Sequence, residues 1–167
     1  LEQHIQDIEQ GKFNSDDKQA SIIARYDQSK LPKTGHFFAP TMVKLDSMTQ
    51  LKKEVFGPVL HIIRYPSKAL DKVLQEINDS GYGLTLGIHT RIENSAEYIC
   101  KHTNVGNTYV NRNMVGAVVG TQPFGGEGLS GTGPKAGGPH YLFRFATEKT
   151  ATINTVATGG NTDLFEL

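Results

Sequence analysis

Residues 58–111, PVLHIIRYPSKALDKVLQEINDSGYGLTLGIHTRIENSAEYICKHTNVGNTYVN, decide the fold of this 167-residue chain. Residues 58–65 (PVLHIIRY) are β-branched and apolar, the composition of a buried strand. A helix is expected over 67–80, with Ser67 as its N-cap and Leu70, Val73, Leu74 and Ile77 on one face. Gly81 and Gly83 end it. Residues 84–90 (LTLGIHT) form a second strand, 93–103 a second helix and 107–111 (NTYVN) a third strand. The order strand, helix, strand, helix, strand predicts an α/β fold: a parallel sheet with flanking helices and right-handed crossovers.

Outward from this block the pattern thins. Residues 1–10 place Leu1, Ile5 and Ile8 at helical spacing, with Gly11 as a stop. A short strand is expected at 21–26 (SIIARY), a turn at 31–35, and an extended segment at 36–45 interrupted by Pro40. Residues 46–53 fit one helical turn. On the other side, 140–146 is helix-like, 147–156 is a last strand and 157–167 is a tail opened by Gly159 and Gly160.

Lys and Arg together number 17, as do Asp and Glu, so the formal charge is zero. A surface for nucleic acid or anionic membrane needs a basic excess, which is missing here. No apolar run is long enough for a transmembrane span. The single cysteine, Cys100, has no internal disulfide partner, which fits a reducing, cytoplasmic setting. The first residue is Leu1 and the chain opens directly into a helical pattern, so it reads as a piece of a longer protein.

Between Asn111 and Pro139 lie nine of the eighteen glycines, interleaved with Pro123, Pro134 and Pro139. That density opposes regular helix or strand. A chain that keeps such a loop uses its backbone amides, at close approach, to hold a ligand or a neighbouring segment. Gly126, Gly128 and Gly131 match the dinucleotide fingerprint GxGxxG, but the prolines on both sides deny it the required strand and helix. Gly128 and Gly133 have phosphate-loop spacing, with Pro134 where lysine is required. Cys100, near Ala96 and Ile99, reads as an inert core residue rather than a nucleophile. The six histidines show no ligand spacing, so no metal site is expected, and the Asn78-Asp79-Ser80 sequon has no use in a cytosolic chain.

Four motifs occur in order: EVFGPV at 54–59, YGL at 82–84, GNTYVN at 106–111 and PFGG at 123–126. The series resembles the C-terminal part of the aldehyde dehydrogenase superfamily and covers nearly all of the chain. GLSGTGPKAGGP at 128–139 resembles its Δ1-pyrroline-5-carboxylate dehydrogenase branch, in particular the C-terminal module of bifunctional proline utilisation A proteins.

The resemblance implies that residues 1–146 are part of an aldehyde dehydrogenase catalytic domain and that 147–156 is an oligomerisation strand joining a partner subunit's sheet. It implies NAD as cofactor, with Glu54 accepting hydrogen bonds from the nicotinamide ribose hydroxyls and Phe56 packing beside that ribose. FAD would belong to a proline dehydrogenase domain outside this chain. Backbone amides of Gly116 and Ala117 would bind the carboxylate of a small aldehyde substrate, where small side chains let an anion approach. Phe124 would wall the aliphatic middle of the substrate. The family's nucleophilic cysteine and general base lie upstream of the Glu54 motif, so no catalytic residue is assigned here and the isolated piece is expected to be inactive. Two rival readings remain at this point. One is an aldehyde dehydrogenase branch with a different substrate; the other is a non-catalytic assembly module built on the last strand.

Overall fold

The computed structural model describes residues 1–116, 118, 120–131, 133–154 and 156–157. Ala117, Thr155 and all of the expected tail beyond Ala157 lie outside the described residues.

The N-terminal half is built around β2 (Thr41–Leu45), whose alternation is strict. Thr41, Val43 and Leu45 point into the core while Lys44 points out, the period of two that one buried face imposes. On one side β1 (Ala20–Arg25) pairs with it antiparallel; on the other β3 (Val59–Ile63) pairs with it parallel. Helix α1 (Glu2–Glu9) covers this sheet, and Ile5 and Ile8 meet Ala20, Val43 and Leu45 in the main cluster of buried residues.

A short 3-10 turn at Met48–Gln50 closes that layer. Gln50 is buried and polar, yet each of its ends is engaged. Its Oε1 accepts from the backbone of Asp46 and Ser47, and its Nε2 donates to the Phe13 carbonyl. Glu76, on α2 (Leu70–Asp79), accepts from Ser47 Oγ and the Met48 amide, which fixes the next unit against the first.

The second unit is β5 (Thr85–Ile88), α3 (Glu93–Lys101) and β6 (Asn107–Val110), with β5 and β6 parallel in register Thr85–Asn107 to Ile88–Val110. Between α2 and β5 a two-residue strand, β4 (Tyr82–Gly83), pairs antiparallel with β7 (Glu127–Gly128).

Several expectations are corrected. The parallel pairings exist, but among the described residues they belong to separate sheets, β1-β2-β3 and β5-β6, and β1 is antiparallel. The strand at 58–65 is not buried: β3 is an edge strand, and Leu60 faces solvent. Ser67 does not cap α2. Residues Ser67–Ala69 form a 3-10 turn after Pro66, and the α-helix starts at Leu70 without a side-chain cap. Residues 140–146 contribute a 3-10 helix, Tyr141–Phe145, and 147–154 make no ladder with the other described residues.

One contact was invisible to spacing. His4 on α1 and His61 on β3, 57 positions apart, place their Nε2 atoms 3.0 Å from each other. One ring donates and the other accepts, which requires a neutral imidazole. Burial lowers the pKa of both below the ordinary 6.5. Asp7 opposes the lowering of His4 while Lys53 adds to it, and His4 lowers His61. The folded state therefore binds fewer protons than the unfolded chain. The stabilisation is full above pH 6.5 and is lost as pH falls through the lowered folded values. Amide exchange at Ile5 and Ile8 is expected to accelerate as pH drops through that window, after correction for intrinsic rates. His61→Gln should flatten the dependence, and an unchanged profile in the variant would remove the histidine pair as its source.

Candidate functional site

The glycine-rich loop leaves the C-terminal end of β6, beside the C-terminal end of its parallel neighbour β5, where ligands commonly bind in parallel sheets. Asn111 makes the exit. It is the one described non-glycine residue with positive φ, at 54°. Asparagine tolerates this left-handed conformation because its side chain can bond locally. Here its Oδ1 accepts from the Thr90 amide at 3.0 Å and its Nδ2 donates to the Thr90 carbonyl at 2.9 Å. The two strand ends are thereby tied together. Further on, Gln122 donates to the hydroxyl of the buried Tyr109, drawing the returning loop back over β6.

Phe124 sits where the loop returns, half-buried. Its amide donates to the Ala136 carbonyl at 3.0 Å and its carbonyl accepts from the Ala136 amide at 3.0 Å. Gly116 lies against it: a Cβ on Gly116 would stand 3.8 Å from the Phe124 ring, ordinary van der Waals contact. Two of the sequence-expected substrate residues, Gly116 and Phe124, are thus brought together across the loop. Ala117, the third, lies outside the described residues.

Glu54 and Phe56 lie elsewhere, in the turn that enters β3, and no described contact joins them to Phe124. Glu54 is exposed and the Phe56 ring is 88% exposed. The turn itself is fixed. Gly57 has φ of 148°, a Cβ there would lie 2.5 Å from the Leu1 side chain, and the Pro58 carbonyl accepts from the Thr41 amide. The turn therefore presents both the Phe56 ring and the Glu54 carboxylate to solvent. Next to it an apolar cleft of about 440 Å³ is lined by Tyr26, Pro40, Met42, Gly57, Pro58 and Leu60 among others. Its polar lining comes from Arg25, Tyr26 and Thr41, and it offers no carboxylate, thiol or imidazole.

Many of the glycines serve the chain rather than a ligand. A Cβ at Gly106 would overlap the Gly125 carbonyl oxygen, and one at Gly131 would overlap that of Gly126. Among the described residues after the GxGxxG match at 126–131, none before Tyr141 is helical, so the match lacks the geometry of a dinucleotide loop. Asn78 caps a junction, donating to the His102 carbonyl and accepting from the Asn104 amide. The expectation for Cys100 is corrected: it is exposed. The inward stripe of α3 runs through Ala96 and Ile99, and Cys100 lies about 100° around the helix from Ile99. Among the described residues no group of three or more His, Cys, Asp or Glu could hold a metal ion, and no helix is long and apolar enough to cross a membrane.

The aldehyde dehydrogenase family model matches residues 2–151, and the chain belongs to the aldehyde dehydrogenase family. Its relatives narrow the class. The bifunctional protein PutA of Klebsiella aerogenes is 64% identical over 115 residues, covering 69% of this chain and 9% of that protein. The crystal structure of a PutA variant from Bradyrhizobium japonicum matches with a TM-score of 0.79 and 53% identity, over 95% of this chain and 15% of its own. A 1-pyrroline-5-carboxylate dehydrogenase from Thermus, with bound NAD, matches with a TM-score of 0.69 and 34% identity, over 86% of this chain and 26% of that one. The chain therefore spans a minor part of each of these proteins.

Gly106→Ala tests the backbone packing beneath the loop. Overlap with the Gly125 carbonyl should destabilise the fold by about 1–3 kcal/mol, read from chemical denaturation. An unchanged midpoint would mean that the two segments are not in contact.

Proposed function

We propose that this chain is the C-terminal part of the catalytic domain of an NAD-dependent dehydrogenase that oxidises glutamate γ-semialdehyde, the open form of Δ1-pyrroline-5-carboxylate, in proline catabolism. The observation that carries the reading is the meeting of Gly116 and Phe124 above the C-terminal ends of β5 and β6, in a chain similar to PutA. The parent reaction consumes aldehyde, NAD⁺ and water and gives glutamate, NADH and protons. The nucleophilic cysteine and the general base come from elsewhere in the parent. The isolated 167 residues are accordingly expected to show no dehydrogenase activity.

This chain's own residues bind and orient. The amides of Gly116 and Ala117 hold the substrate carboxylate, a task for backbone donors that a neutral aldehyde would leave unpaired. The Phe124 ring supports the methylene chain, so that the aldehyde carbon is presented to the nucleophile. The turn before β3 fits the ribose end of the cofactor: the Glu54 carboxylate can accept from both hydroxyls of a diol, and the exposed Phe56 ring offers an apolar face. When bound, NAD⁺ supplies the acceptor for the hydride. Residues 147–156 are assigned to pairing with the sheet of a partner subunit. In support, 147–154 have no ladder partner among the described residues and Ile153 is 76% exposed.

The test is kcat/KM of the full-length protein for glutamate semialdehyde against a neutral aldehyde of similar length. A preference of at least about 100-fold for the acid is expected. Phe124→Ala should raise KM for the semialdehyde about 10-fold, and Glu54→Gln should raise KM for NAD about 10-fold while sparing that for the aldehyde. Equal values for the two aldehydes would remove the carboxylate-recognition reading.

A further inference from the structure

The placement of Phe124 depends on two side chains to which the reaction assigns no role. Asn107, the first residue of β6, brackets it. Its Nδ2 donates to the Pro123 carbonyl at 3.0 Å, and its Oδ1 accepts from the Gly125 amide at 3.1 Å. Both peptide groups flanking Phe124 are therefore tied to one amide, itself anchored in a strand. Lys135 closes the arrangement from the far side. Its Nζ donates to the Gly106 carbonyl and, at 3.2 Å, to the Gly125 carbonyl, and lies 3.5 Å from Asn107 Oδ1. The stem of the lysine packs on Gly125, where an added Cβ would meet Lys135 Cα at 3.3 Å.

An ammonium group in a half-buried position is expensive to desolvate unless oxygens surround it. Lys135 has three such oxygens, and among the described residues no carboxylate is one of them. Two of the three belong to segments so close that no side chain fits between them, Gly106 and Gly125. The third is the amide that brackets Phe124. The next residue, Ala136, makes the two-way backbone bridge with Phe124 itself. Among the described residues, the bonds that fix the Phe124 backbone and its two flanking peptides thus end on Asn107 or on the residue after Lys135. Among the described residues Lys135 makes no bond to Phe124 itself and bears on it through its neighbours Asn107, Gly125 and Ala136.

We propose that Lys135 and Asn107 are positioning residues that hold the Phe124 ring beside Gly116, and so set the affinity for the carbon chain of the aldehyde. The inference rests on the reading of Phe124 as a wall of the substrate site.

A double-mutant cycle in the full-length protein tests it, with kcat, KM for the semialdehyde and the melting temperature measured for Lys135→Met, Phe124→Ala and the pair. Lys135→Met is expected to raise KM about 10-fold with kcat within about 2-fold of the parent. Because Lys135 acts through Phe124, the double variant should match Phe124→Ala alone to within about 2-fold. Independent effects that multiply would overturn the proposal, since the lysine would then act on the fold at large. If Phe124→Ala raises KM and Lys135→Met does not, the proposal fails while the substrate-site reading stands. If neither raises KM, that reading fails with it. Where Lys135→Met does not fold, Asn107→Ala removes both flanking bonds and runs the same cycle under the same criteria.

Discussion

Asn107 bridges a strand to the loop that returns across it, and the candidate substrate site depends on that bridge. A glycine-rich loop has a high entropic cost of ordering, and its own side chains offer little to offset it. What orders it here is polar contact with the sheet below. Asn111 fixes the exit by clamping Thr90, Gln122 ties the return to Tyr109, and Asn107 receives both peptides around Phe124. Each of these anchors lies on β6, within a residue of it, or bonds to a residue on it, so the parallel pairing of β5 and β6 decides where the loop can go.

The glycines then have two separate tasks. Those at 106, 126 and 131 exist because backbone approaches backbone, and any side chain there would overlap a carbonyl or a neighbouring residue. Gly116 is different, since a Cβ there would make only ordinary contact with Phe124. The requirement for a small residue at 116 is therefore not imposed by packing within the chain, and under the proposed function it comes from the ligand. The same contrast separates Phe56 from the aromatic and aliphatic residues beside α1. Phe13 packs on the core cluster, whereas Phe56 is held out by a turn that Gly57 and the Pro58 carbonyl make rigid.

Elements with a repeating apolar pattern were legible in the sequence. The stripe Leu70, Val73, Leu74, Ile77 on α2 is the inward face, and the extended run ending at Leu45 is the core strand. What the sequence hid were relations between distant residues and the limits of short elements. Nothing in the spacing of His4 and His61 announces a contact, and nothing about Lys135 distinguishes it from a solvated lysine until Gly106 and Gly125 are seen beneath it. Cys100 was misplaced because a three-turn helix buries one narrow stripe, and a residue one step past it is already outside. Strands 58–65 and 84–90 read as neighbours in one sheet because composition reports burial tendency and not pairing partners. Of the candidate site, the family resemblance suggested Gly116 and Phe124, which the fold brings within contact distance, whereas the polar anchors that place them needed coordinates.

The central claim is that the loop above β6 recognises a carboxylate while Phe124 supports the carbon chain. The most direct measurement is a crystal structure of the full-length protein with glutamate, the proposed product, bound. The account predicts one glutamate carboxylate within about 3 Å of the amide nitrogens of Gly116 and Ala117, with the methylenes against the Phe124 ring. Glutamate bound elsewhere, or with its carboxylates held only by side chains outside this loop, would contradict it.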